Sequence, residues 1–194
     1  IEAQPAGGTI TIAPGVDMPI ISNGYSPFTA NNATTAALEE WFRVGGRSVD
    51  TAFEYSNEPW VGDAVRAAVA GGLPRKEIFV ITKIKCQGTT EGALALVRED
   101  LKRLQLDYVD LVIIHGPGFV DPQSGGSRQC DGWRFNPDWK DKGCCKTVED
   151  LQATYRGLEL AVAQNLSRAI GVSNFQTKQL EAIAANATIP PAVN

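Results

Sequence analysis

Short, β-branched, apolar runs recur along this chain, each separated from the next by a stretch with helical patterning. That alternation restricts the fold more than any other feature. The runs are Ser48 to Thr51, Ile78 to Thr82 (IFVIT), Tyr108 to Ile114 (YVDLVII) and Ala169 to Val172. Between them, 58–70 reads as a helix stopped at Gly71-Gly72. Residues 90–105 carry Leu94, Val97, Leu101 and Leu104 at steps of three and four, the spacing of one helical face. A further helix runs from Thr147, whose pairing with Asp150 forms a capping box, to about Gln164. Ahead of the first run lie a hairpin pattern at 8–21, turning at Pro14-Gly15 and leading into a short strand, and a helix over 33–44 that stops at Gly45-Gly46. A helix over 176–185 and an extended start at 190–194 close the series. Segment 116–146 has no clean period and is expected to be a long loop insertion.

Strands that are apolar on both faces and alternate with helices belong to a parallel sheet covered by helices, in a barrel or a doubly wound arrangement. No G-x-G-x-x-G follows the first strand, and no G-x-x-x-x-G-K-[ST] occurs, so the common nucleotide-binding signatures of doubly wound folds are missing. The expectation is an α/β chain of the (β/α)8 TIM-barrel type, one domain over 1–194. It would be an incomplete barrel, with an N-terminal hairpin and about five to six strand–helix units. The net charge of −4 offers no basic footprint, which argues against nucleic acid. The apolar runs, such as Leu111 to Ile114, are far too short for a membrane span.

In a parallel barrel the C-terminal ends of the strands converge on one face. Asp50 ends the 48–51 run, Tyr55 follows in the next loop, Lys83 ends IFVIT and His115, the only histidine, ends YVDLVII. Singly, each has a plain structural role: a helix cap, a loop aromatic, a solvated strand end, a buried structural ring. Four such residues at corresponding points of three consecutive units point to one site. One histidine without clustered carboxylates leaves too few ligands for a metal-dependent hydrolase, so no metal is expected.

The segments around these residues resemble the aldo-keto reductases. VDTAFEYSNEPWVGDAV (49–65), FVITK (79–83), LKRLQLDYVDLVIIHGP (101–117), AIGVSNF (169–175) and PPAVN (190–194) are similar to that family's motifs in the same order. The resemblance implies an oxidoreductase that reduces an aldehyde or ketone by hydride transfer from NADPH. It also implies a catalytic tetrad of Asp50, Tyr55, Lys83 and His115. Tyr55 would be the general acid, with its pKa lowered by the Lys83 cation, and Asp50 would orient the lysine. A neutral His115 would donate a hydrogen bond to the substrate carbonyl. Ser173 and Asn174, with Asp50, would contact the nicotinamide end of NADP; their plain alternative is a helix cap.

Two departures bear on this. Gly116 stands where the family often has a tryptophan, which opens the substrate pocket and leaves Trp133 or Trp139 as candidate walls. The chain also stops at Asn194, where the family continues through strands six to eight. A piece of a longer protein, a protein partner completing the barrel, and a non-catalytic structural or accessory subunit of a larger assembly all fit this. The chain opens on Ile1, so a start elsewhere is expected, and a removed targeting segment is compatible with that. Three N-x-[ST] sequons, at Asn32, Asn165 and Asn186, and four cysteines set a secreted or organellar location against the cytoplasmic one the family implies. For Cys86, Cys130, Cys144 and Cys145, free thiols and one disulfide involving Cys130 both remain open.

Overall fold

Residues 7–25, 32–117 and 145–194 are described by the computed structural model. The 8–21 pattern becomes an antiparallel hairpin of β1 (Thr9–Ala13) and β2 (Val16–Pro19). Gly15, at φ +71, takes the left-handed turn position that glycine adopts without a steric penalty. The short strand that follows is β3 (Asn23–Gly24). Strand–helix units then succeed one another: α1 (Asn32–Arg43), β4 (Ser48–Asp50), α2 (Glu58–Ala70), β5 (Phe79–Ile84) and α3 (Thr90–Leu104). They continue with β6 (Val109–Ile114), α4 (Val148–Ala163), β7 (Ser167–Val172) and α5 (Thr177–Ala184). The cap of α4 is the one the sequence announces; that of α3 emerges only in the structure. Thr147 and Asp150 close a reciprocal capping box on α4, and the Thr89 side chain accepts from Gly92 N–H at the start of α3.

The sheet has five parallel strands in the order β3-β4-β5-β6-β7, the order of the chain itself. A doubly wound sheet reverses its strand order at a switch point. An unbroken sequential order is the arc of a (β/α)8 barrel, incomplete over these residues. Residues 192 and 193 continue it: Ala192 N–H donates to Ile170 O at 2.8 Å and Val172 N–H to Val193 O at 3.0 Å. A side chain on Gly171 would meet Val193 Cγ2 at 2.8 Å, so this edge closes only around glycine.

Alternation along the strands divides the apolar residues into two sets. Phe79, Ile81, Leu111, Ile113 and Ala169 face the barrel interior, together with Val16 of the hairpin. Val80, Ile84, Val112, Ile114, Ile170 and Val172 face the helices. Each such side chain contributes about 1.5–3 kcal/mol when removed from water. The hairpin is tied to the sheet through Arg168, whose guanidinium donates to Gly15 O at 2.9 Å and to the buried Asp110 at 2.8 Å. Gly62 lets α2 lie directly against the Leu104 carbonyl; a Cβ there would collide with backbone.

The cysteine reading needs correction. The disulfide is Cys86–Cys145, with Cα atoms 5.5 Å apart across 59 residues of sequence. Both cysteines are buried. It joins the segment just after β5 to the approach of α4, with α3 and β6 between them in the chain. Spacing along the chain gives no sign of this pairing, because the fold alone brings the two segments together. Cys130, Cys144, Trp133 and Trp139 lie outside the described residues, as does most of the 116–146 segment. By the chain-entropy argument, a loop of this length is worth about 4 kcal/mol. The double variant Cys86→Ala/Cys145→Ala should lose that amount in urea denaturation. Unchanged stability would show that the crosslink does not constrain the unfolded chain.

Candidate active site

The same alternation that fills the interior aims the polar residues. Lys83 follows Phe79 and Ile81 on the inner face of β5, and His115 follows Leu111 and Ile113 at the end of β6. Asp50 lies on the face of β4 opposite the helix-packed Val49. Register staggers the three by two residues from strand to strand, as the tilt of barrel strands requires: Asp50 pairs with Ile81, Lys83 pairs with Ile113, and His115 N–H continues the ladder to Ile84 O at 2.8 Å. Tyr55 ends a single 3-10 turn, Phe53–Tyr55, directly after β4. Ser56 stops that turn in the left-handed region at φ 55, and Thr51 Oγ1 holds the loop by donating to Asn57 Oδ1.

All four residues meet. The Lys83 ammonium donates to Asp50 Oδ1, and to Thr51 O at 2.9 Å. It also sits 5.0 Å from the centroid of the Tyr55 ring, on the face that attracts cations. The Tyr55 hydroxyl lies 3.3 Å from His115 Nε2, with the two rings edge-to-face at 79°. The Tyr55 pKa departs from the sequence expectation: it is raised above the ordinary 10, not lowered. Burial is the first cause, followed by the negative charges of Asp50 and Glu54. The physical reason is visible in the contacts. The lysine cation is engaged by Asp50 and the Thr51 carbonyl, beside the ring and not at its hydroxyl.

Ser173 and Asn174 come just after β7. Asn174 is in the left-handed region at φ 62. Its Nδ2 donates to His115 O at 2.8 Å and to Ser173 Oγ at 3.0 Å. Residues 173 and 174 are therefore part of the same cluster, and neither caps α5; the residue before that helix is Gln176, in a capping box with Gln179.

The sequence reading missed three residues. Glu54 Oε2 lies 2.5 Å from His115 Nδ1, and both side chains are only 10% exposed. Its position is one that the family motif leaves variable, so only a charge beside Tyr55 could have signalled it. The other two are Glu58 of α2 and Asp100 of α3, both fully buried behind β5. Thr82, next to Lys83 on the outer face, donates to Glu58 Oε1 at 3.0 Å and lies 3.2 Å from Asp100 Oδ2. Burial pushes the Glu58 carboxyl up to about 7 and holds Asp100 well above the usual carboxylate range, with the Glu58 charge adding to the second.

An arc of parallel strands carrying Asp, Tyr, Lys and His at successive strand ends defines a β/α-barrel protein with its polar cluster on the C-terminal face. The Aldo/keto reductase family pattern matches residues 21–194, and the chain belongs to that family. It is 32% identical over 182 residues to a D-galacturonate reductase of Hypocrea jecorina, covering 93% of this chain and 56% of that protein. It is 35% identical over 188 residues to a glyoxal reductase of Bacillus subtilis, covering 96% and 56%. Among solved structures, it superposes on a Bombyx mori aldo-keto reductase in complex with NADP at a TM-score of 0.79 and 29% identity, covering 98% of this chain and 57% of that one. An aldo-keto reductase complexed with NADPH gives a TM-score of 0.76 at 27% identity, covering 96% and 53%. The chain thus spans a little more than half the length of the relatives it matches.

The buried carboxyl pair carries a pH dependence. Both groups have folded pKa values above their unfolded ones, so the folded state binds more protons. Their contribution is complete below pH about 4 and is lost as pH rises through about 7. Glu58→Gln keeps an acceptor for Thr82 and removes the charge. It should therefore become more stable than the natural protein as pH rises from 5 to 8, by about 2–3 kcal/mol in denaturant midpoints. A constant difference across that range would sink the assignment.

Proposed function

We propose that this chain carries the catalytic half of an NADP(H)-linked carbonyl reductase, acting on an aldehyde or ketone with Tyr55 as the general acid. The observation that carries the proposal is the convergence of Tyr55, His115, Lys83 and Asp50 at three successive strand ends, with the Tyr55 hydroxyl 3.3 Å from His115 Nε2. Bound NADPH would supply the hydride. The residues here would then deal with the oxygen of the carbonyl, which becomes an alkoxide and needs a proton. A phenol held protonated by burial and by nearby carboxylates keeps its proton until a base as strong as an alkoxide takes it, which suits a general acid. Lys83 adds positive charge beside the ring without leaving the Asp50 pair.

The donor set beside His115 fits a nicotinamide carboxamide. Asn174 Nδ2 is engaged with His115 O and Ser173 Oγ, which leaves Asn174 Oδ1 to accept from the amide and the Ser173 hydroxyl to donate to it. Asp50 would contribute through its hold on Lys83. We read the chain as one barrel domain over 1–194 with a loop insertion at 116–146. The relatives' named substrates, D-galacturonate and glyoxal, are both carbonyl compounds and support this substrate class.

In the whole protein, Tyr55→Phe should lower kcat by about 100- to 10,000-fold while NADPH still quenches tryptophan fluorescence saturably. Near-normal turnover would reject Tyr55 as the acid. A natural protein that is folded but binds no NADPH would favour the accessory-subunit reading instead.

The compartment is read from a separate observation. The Cys86–Cys145 bridge is buried, and Asn32, Asn165 and Asn186 are all exposed. This combination favours an oxidising, secretory route. Protein from its own source should lose apparent mass on endoglycosidase treatment and show no Cys86 or Cys145 thiol without reductant. An unshifted band with both thiols free would place it elsewhere.

A further inference from the structure

Glu54 belongs to this site but not to the tetrad, and its contact decides the chemistry of its neighbour. A carboxylate has lone pairs and no proton, so it can only accept. The 2.5 Å contact between His115 Nδ1 and Glu54 Oε2 therefore requires the hydrogen to be on Nδ1. In the neutral ring, Nε2 then carries the lone pair, and the Tyr55 hydroxyl 3.3 Å away is the donor to it. The His115 side chain is only 10% exposed, and the backbone that carries it is held on both sides, by His115 N–H to Ile84 O and by Asn174 Nδ2 to His115 O, each at 2.8 Å.

We propose that Glu54 is a positioning residue that locks His115 in the Nδ1–H tautomer and so makes its Nε2 the proton partner of Tyr55. This rests on the carbonyl-reductase reading for its catalytic meaning, but not for the tautomer itself. It replaces the role the family resemblance implies, a neutral histidine donating to the substrate carbonyl, because a neutral ring of this tautomer has no Nε2–H to give. His115 donates from Nε2 only as the imidazolium, with Glu54 as its counter-charge. The proton balance then closes. Tyr55 gives its proton to the alkoxide oxygen, and the imidazolium Nε2–H bond breaks as an O–H bond forms on the Tyr55 phenolate. The electron pair stays on Nε2, and the ring returns to the tautomer that Glu54 holds. Solvent restores the second proton. Among the described residues, the charged and titratable groups facing this line include Asp50 of β4, Lys83 of β5, Lys85 just beyond β5, and Tyr55 itself. Among them, Lys85 is half-buried, and the Glu54 charge counters the burial that pushes its ammonium pKa down.

The test is a long-range proton–nitrogen NMR spectrum of histidine-labelled protein at a pH where the ring is neutral, with the His115 signal assigned by its loss in His115→Asn. A protonated and a lone-pair nitrogen resonate far apart, so the tautomer is read directly. The natural protein should show Nδ1–H. Glu54→Gln, whose amide oxygen still accepts, should keep it, whereas Glu54→Leu should move the ring towards Nε2–H. An Nε2–H ring in the natural protein overturns the proposal whether or not any variant folds. So does a folded Glu54→Leu with an unchanged tautomer. In the whole protein, Glu54→Leu should lower kcat by about 10- to 100-fold with KM nearly unchanged and an altered pH profile, and Glu54→Gln should restore part of the rate. A protein without reductase activity but with the Nδ1–H ring would reject the reductase reading and leave the Glu54 assignment standing.

Discussion

A parallel strand covered on both faces must give its side chains alternately to the helices and to the barrel interior, and most of this molecule follows from that. On β5 and β6 the inner positions run Phe79-Ile81-Lys83 and Leu111-Ile113-His115. Two apolar side chains on each strand fill the interior before the third, polar one reaches the open end. The same two-residue step puts Val80 and Ile84 against the helices, with Thr82 among them facing two buried carboxyls. A one-residue slip would turn Lys83 into the helix layer and an apolar side chain into the site. Core packing and site geometry therefore rest on the same register.

At the open end the electrostatics are set by pairing. Lys83 is neutralised by Asp50, His115 is held by Glu54, and Tyr55 lies between the two pairs. Burial first, and then the negative charges of Asp50 and Glu54, hold the phenol pKa up. A motif that lists an acid, a phenol and a base does not reveal this balance. It depends on which atom of each group faces which, and on how much water remains between them.

How much was legible in the residues depends on the element that carries them. Asp50, Lys83 and His115 were found because each ends a strand whose period is plain, and a regular two-residue stagger between neighbouring strands then brings them to one face. Tyr55 was reached through the family motif, from a turn without any period. Glu54 lies on that same turn and stayed invisible. Glu58 and Asp100 were missed for the opposite reason. They sit on helix faces that pack against the sheet, Asp100 among Val97, Leu101 and Leu104, where patterning calls for apolar side chains. Burying a carboxyl there is possible because Thr82 supplies a hydrogen bond and the acid can keep its proton.

The sequence by itself determined the order of strands and helices, the capping of α4, the parallel arc and the four residues at its open end. These depend on local periods, on caps a few residues long, and on a motif that keeps its spacing. Only the tertiary structure decided the Cys86–Cys145 bridge, the Glu54–His115 contact, the buried carboxyl pair and the upward shift of Tyr55. Each of these needs groups from different segments brought within a few ångströms, in surroundings poor enough in water for their charges to act on one another.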